Sequence, residues 1–213
     1  MSEADWIDAA RKGDLNSFNL LVLAHQQAAY DLAVRMLRDE AAAADATQDA
    51  FLAAFTHIRQ FRGSSFRAWL MRIVLNRVYD RLRARTRHDV ASLDTLGDDE
   101  ETPALRLADD APGPEQAVLS AELRSCIEKG LQLLSPEQRA TVVLCDIHGL
   151  SYEEIAVATH ASLGTVKSRL SRARAALRGY LSRHVELLPD SVRHYFERAE
   201  VDPDKTATAA KDG

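Results

Sequence analysis

Six cations and no acid fall in residues 159–183: Lys167, Arg169, Arg172, Arg174, Arg178 and Arg183. The hydroxyls of Ser168 and Ser171 are interleaved with them. The chemistry on offer is recognition. A guanidinium is a planar fork that bridges guanine edges or phosphate oxygens, and small residues let a helix approach a surface closely. Such groups need a support that aims them, and the apolar spacing supplies one. Val166, Leu170, Ala173 and Leu177 recur at intervals of four, three and four, one seam at 3.6 residues per turn. Stepping about 100° per residue from that seam turns Ser168, Ser171, Arg172 and Ala175 outward. Lys167 and Arg174 fall on one flank and Arg169 on the other. Upstream, Ser151 stands three residues before Glu154, an S-x-x-E capping box that opens a short helix carrying Ile155 and Ala156 inward and stopping near His160. Residues 161–164 form a tight break with Ser162 as the expected N-cap. Short helix, tight turn and basic helix make the helix-turn-helix pattern. The competing reading of this stretch alone is a solvated basic face on an ordinary bundle helix.

A second cationic element lies earlier. Residues 59–87 hold nine Arg and one Asp. Within them residues 61–65 break the chain: Gly63 is expected to permit the turn and Ser64 or Ser65 to cap the helix that follows. That helix puts Phe66, Trp69, Leu70 and Ile73 on one face, with Trp69 expected in the core. Arg67, Arg72, Asn76, Arg77, Asp80, Arg81 and Arg83 occupy the rest. Asn76 is either surface decoration or an amide that reads a base edge. The preceding helix, about 41–60, keeps Ala46, Ala50, Phe51, Ala54, Phe55 and Ile58 at helical spacing and sets Asp45, Gln48 and Asp49 on another side as an acidic patch. Further upstream, residues 4–12 and 15–38 have helical patterns.

Between the basic blocks the charge inverts, since residues 89–122 hold ten carboxylates and one Arg. The overall charge of −5 therefore hides a segregation that bears on partners rather than on fold. Prolines, glycines and the DDEE run at 98–101 mark residues 88–119 as an extended linker. Helix resumes from Ser120, with Leu123, Ile127, Leu131 and Leu134 in a stripe. Ser135 as N-cap, Pro136 at the first position and Gln138 at the third start another helix. Val142, Val143, Ile147 and Leu150 are expected to pack ahead of the helix-turn-helix. Leu187, Leu188, Val192, Tyr195 and Phe196 suggest one more amphipathic helix before a disordered end. Scarce Gly, Pro and aromatics among 213 residues point to an all-α chain. Two helical domains, 1–87 and 120–183, are joined by the acidic flexible linker 88–119, with 184–213 as an extension. No apolar run has the length of a membrane span, and the N-terminus is no signal peptide. Cys126 and Cys145 fit no metal spacing and are expected as reduced buried thiols. No phosphate loop, metal constellation or nucleophile–base set stands out, which makes an enzyme the weakest reading.

Four segments in this order resemble the extracytoplasmic-function group of sigma-70 factors: DATQDAFLAAF at 45–55, FRGSSFRAWLMRIVLNRVYDRLR at 61–83, LSPEQRATVVLCDIHGLSYEEIA at 134–156 and GTVKSRLSRARAAL at 164–177. The resemblance spans roughly residues 14–183. It implies a cytoplasmic, non-catalytic initiation subunit without cofactor. Such a subunit works with core RNA polymerase on promoter DNA and is held by an anti-sigma partner. By the same resemblance, residues 1–87 form a region 2-like domain for the polymerase clamp and −10 element. Asp45, Gln48, Asp49 and Phe51 are implied to face the clamp. Phe61, Arg62, Gly63, Ser64 and Ser65 are implied to capture a flipped −10 base, with Asn76, Arg77 and Asp80 on the helix that follows. Residues 120–183 correspond to the region 4-like, −35-binding domain, with Lys167, Ser168, Arg169, Ser171, Arg172 and Arg174 toward DNA. The linker is implied to thread the polymerase's RNA path. A helix-turn-helix regulator binding DNA on its own is the alternative, but it leaves 41–83 unaccounted for. A polymerase-binding inhibitor is disfavoured by the paired basic blocks.

Overall fold

The computed structural model describes residues 2–63, 65–91 and 114–187. Ser64, most of the acidic linker and the chain beyond 187 lie outside the described residues. The expected cap or base contact at Ser64, the expected helix through Leu188, Val192, Tyr195 and Phe196, and the expected disordered end all fall there.

Every regular element among the described residues is helical. In order they are α1 (Glu3–Arg11), α2 (Leu15–Leu37), α3 (Glu40–His57) with a 3-10 turn at Ile58–Gln60, α4 (Phe66–Ala91) and α5 (Pro114–Gln132). Then come α6 (Pro136–Val142), running into a π-helical turn at Val143–Ile147, α7 (Tyr152–Thr159), and α8 (Leu163–Leu181) with a 3-10 turn at Ser182–Leu187. The starts are fixed by side-chain caps. Ser135 and Ser151 each close a capping box, with Gln138 and Glu154 as expected. The amides of Ala68 and Thr165 donate to Ser65 Oγ at 3.2 Å and Ser162 Oγ at 3.1 Å. Each cap satisfies an amide the helix cannot, typically worth about 1 kcal/mol. Helix α7 ends at His160 in the left-handed region (φ 52°), which re-aims the chain into α8.

Among the described residues, those within 1–102 and 135–173 form one compact unit, and those within 103–134 and 174–213 a second. In the first, α2, α3 and α4 pack on one another, α1 lies on α2, α7 packs along α4 and α6 meets α2. Leu21, Leu32, Met36, Leu70, Met71 and Leu75 are fully buried there, as are Leu144, Ile155 and Leu170. Each such side chain contributes about 1.5–3 kcal/mol by leaving water. In the second unit α5 packs on the 3-10 turn after α8. A Cβ on Gly130 would lie 3.0 Å from the Tyr180 ring and 3.2 Å from Leu177, so glycine lets the chain segments close up. Cys126 is a buried free thiol whose pKa is pushed up by burial, against the hydrogen bond with Tyr180.

Two local expectations need correction. Ile147 is not packed inward but 42% exposed, and His148 is buried instead. The widened turn at Val143–Ile147 advances the register, so the next residue takes the inward place. Gly63 is not needed for a left-handed backbone, since positive φ among the described glycines occurs at Gly13 and Gly149. It is needed for space: a Cβ would sit 3.0 Å from the Phe61 ring.

Candidate nucleic-acid interface

The seam of α8 is buried as its spacing demands. Val166, Leu170 and Ala173 are buried and Leu177 is half-buried. Lys167, Ser168, Ser171, Arg172, Arg174 and Ala175 are exposed, and Arg169 is half-buried. The outward edge is internally organised. Ser168 Oγ donates to the Thr165 carbonyl at 3.0 Å, and Arg172 Nε donates to the Ser168 carbonyl at 3.2 Å. The guanidinium is thereby held along the helix with donors to spare, and two cations, Lys167 and Arg174, flank it. Arg169 turns toward α4 into a cleft it lines with Tyr79, Arg83 and Arg87. Burial foremost, then Glu137, pushes the Tyr79 hydroxyl up to about 12, so it stays a neutral donor.

The 61–65 loop is mounted on an aromatic cluster. Phe61 is buried, 6% exposed, with its ring centroid 5.9 Å from Phe66 and 5.3 Å from Trp69. It therefore shapes the loop from below. Trp69 is half-buried and lines a cleft beside the loop, so it is a wall as well as a core element. Arg62 is exposed and donates to the carbonyls of Arg59 at 2.7 Å and Phe61 at 2.9 Å. Ser65 Oγ donates to Glu154 Oε1 at 2.6 Å. Further along α4, Asn76 is exposed, Arg77 is half-buried, and exposed Asp80 accepts from Arg83 at 3.2 Å.

Asp45, Gln48 and Asp49 are exposed on α3 as expected, with Phe51 half-buried. Their neighbours differ. Asp49 accepts from Arg81 of α4 at 3.1 Å. Gln48 and Phe51 instead border an apolar groove of about 710 Å³ between α2 and α3, floored by Phe18, Val22, Leu52 and Phe55. Leu15, Leu52 and Phe55 remain exposed around it. The sequence reading named Phe51 and Phe55 at helical spacing but not the groove they line with Phe18, Val22 and Leu52.

Three residues beyond the sequence-based set matter. Arg139 is buried on α6 and donates to the Met36 carbonyl at the end of α2, at 3.1 Å. Glu154, noticed only as a cap, also reaches Ser65. His148 sits buried beside Arg67, Asp31 and Arg35, and its Nε2 has no hydrogen-bond partner. Burial first, then Arg67, lowers its pKa from the ordinary 6.5 to about 4. The unfolded chain thus takes up the proton before the folded one. Stability from neutral His148 is complete above about pH 6.5 and is lost as pH falls toward 4. Urea unfolding should show about 2 kcal/mol less stability at pH 5 than at pH 7 from this group. His148→Leu should flatten that dependence, whereas an unchanged slope would contradict the assignment.

No helix among the described residues is long and apolar enough to cross a membrane. The family model for sigma-70 region 2 matches residues 21–88, and that for sigma-70 region 4 matches residues 124–177. The chain is 35% identical over 196 residues to the ECF RNA polymerase sigma factor SigE of Mycolicibacterium smegmatis, covering 86% of this chain and 74% of that one. It is 36% identical over 172 residues to the RNA polymerase sigma-H factor of Pseudomonas aeruginosa, covering 80% and 89%. The fold is similar to that of the Bartonella quintana sigma factor RpoE solved with the anti-sigma factor NepR: TM-score 0.64 and 29% identity over 78% of this chain and 98% of that one. It is also similar to CnrH solved with the cytosolic domain of CnrY, with TM-score 0.59 and 27% identity over 84% and 96%. A free-standing helix-turn-helix regulator would leave the region 2 match without a purpose. With both regions present, in order, on helices that expose a basic reading edge and an aromatic-backed loop, the chain belongs to the extracytoplasmic-function group of the sigma-70 family, the RNA polymerase sigma factors.

Proposed function

We propose that this sigma factor directs core RNA polymerase to promoters by reading a −35 element with α8 and a −10 element with the 61–65 loop and α4. Lys167, Ser168, Ser171, Arg172 and Arg174 supply the −35 contacts, with Arg169 at the rim. Arg62, Gly63 and Ser65 form the lip that accepts an unstacked −10 base over buried Phe61, Ser64 belongs to the same sequence motif, and Asn76, Arg77 and Asp80 border the strand. Asp45, Gln48 and Asp49, together with the apolar groove at Phe51, meet the polymerase clamp. The division into 1–87, 88–119, 120–183 and 184–213 follows from these roles. Cations supply salt-dependent, sequence-blind affinity through counterion release. A few base contacts then discriminate, and the loop offsets a few kcal/mol of unstacking. The phosphodiester chemistry belongs to the polymerase, so the subunit is non-catalytic and needs no cofactor. It works in the cytoplasm and is restrained by an anti-sigma factor.

The observation that carries this reading is the exposed, internally braced edge of α8 above its buried seam. Run-off transcription with cognate core polymerase on a promoter library tests it. Template-selective transcripts that depend on this subunit are expected. Core polymerase giving the same transcripts with and without it would refute the reading.

A further inference from the structure

We propose that the cleft between α4 and α8 binds a nucleoside diphosphate, whose two phosphates are gripped by Arg87 from α4 and Arg169 from α8. The cleft has a volume of about 620 Å³, and its described lining residues all belong to the first compact unit. That volume falls inside the roughly 300–1,000 Å³ of small-molecule sites. The site goes beyond the proposed promoter role and does not rest on it.

The cationic wall follows from helical spacing. Tyr79, Arg83 and Arg87 stand four residues apart, so α4 brings all three to one cleft. The arginines differ in what they can offer. Arg83 is already paired with Asp80 at 3.2 Å. Among the described residues, Arg87 and Arg169 meet no carboxylate at ion-pair distance. Arg87 is exposed and Arg169 half-buried, so each fork is open to a ligand. A guanidinium grips a phosphate through two parallel hydrogen bonds. Two such forks on a shared void match two linked phosphates.

The remaining lining selects more than phosphate. Tyr79 and Leu82, both half-buried, give a base an apolar surface to lie on. The Tyr79 hydroxyl, kept neutral by burial and then by Glu137, can donate to an anion rather than repel it. Glu137 accepts from Ser135 Oγ at 3.0 Å, which steadies its carboxylate in the same lining. That carboxylate repels pyrophosphate, an anion, whereas ribose hydroxyls and base N–H groups donate to it. The cleft thus combines donors for phosphate with an acceptor for the sugar or base.

Isothermal titration calorimetry on the full chain, at constant ionic strength and without polymerase or DNA, tests the site with ADP, pyrophosphate and adenosine. ADP should bind saturably, on the order of tenfold tighter than pyrophosphate or adenosine alone, since each lacks contacts that ADP makes. Arg87→Ala and Arg169→Ala should each weaken ADP binding by about tenfold to a hundredfold, the loss of one charge-assisted phosphate contact, with helical circular dichroism unchanged. Lys12→Ala removes the same charge from an exposed position outside the cleft and should leave ADP binding as it is. Glu137→Gln should narrow the preference for ADP over pyrophosphate. No saturable ADP binding, equal losses in Lys12→Ala and Arg169→Ala, or pyrophosphate binding as tightly as ADP would each overturn the proposal. None of these outcomes bears on promoter-selective transcription, which stands or falls by the run-off assay.

Discussion

Arg172→Ala should lower discrimination between a cognate −35 element and its single-base variants by about tenfold to a hundredfold, the loss of one good base contact of about 1–3 kcal/mol. Arg172 is exposed and its Nε is tied to the Ser168 carbonyl, so the fork is already oriented before DNA arrives. Little side-chain entropy then remains to be lost on binding, which raises the value of the contact. Arg172→Lys should not restore discrimination, because an ammonium offers a point charge where a planar fork is needed. Lys167→Ala should behave differently. It should weaken all promoters alike and flatten the salt dependence by about one phosphate contact. Run-off transcription on a −35 substitution series at two salt concentrations separates the two outcomes. An Arg172→Ala variant that lowers every promoter equally would show that Arg172 contacts only backbone.

Arg139→Ala should destabilise the first compact unit by about 3 kcal/mol. Its guanidinium is buried and donates to the Met36 carbonyl, an end carbonyl of α2 that the helix cannot satisfy. Removal loses a charge-assisted bond of about 1.5–3 kcal/mol and strands an acceptor away from water. It also removes a cation from the negative end of the α2 dipole, worth up to about 2 kcal/mol in partly buried geometry. At the scale of this chain, about 3 kcal/mol corresponds to a melting temperature lower by roughly 6–12 °C. Arg139→Lys should recover part of the loss. A thermal unfolding curve for Arg139→Ala within a degree of wild type would contradict the role given to this residue.

Local signals in the chain proved the more legible ones. The boxes at Ser135 and Ser151, the cap at Ser162 and the seam through Val166, Leu170 and Ala173 depend on neighbours within a turn or two. The outward set on α8 follows from the same seam. What escaped was long-range. Nothing in the spacing says that Arg139 reaches Met36 across 103 residues, or that Glu154 serves Ser65 across 89. The π-helical turn was equally hidden, because a periodicity of 3.6 assumes that no residue is inserted, and Ile147 was misplaced for that reason. Phe61 shows the limit of a motif. The loop's chemistry was legible, but the ring's burial beneath it depends on Phe66 and Trp69 arriving from the next helix. The apolar groove beside Phe51 escaped for a similar cause: helical spacing shows that residues share a face, not whether another helix covers it.

Two helices far apart in the chain are held to read one promoter at two places. A photoreactive residue placed singly at Asn76 and at Ser171, both exposed, tests this most directly in the assembled polymerase–promoter complex. The Asn76 probe should crosslink the −10 region and the Ser171 probe the −35 region of the same template. Crosslinks from only one of the two positions, or from both to the same segment, would contradict the two-site reading.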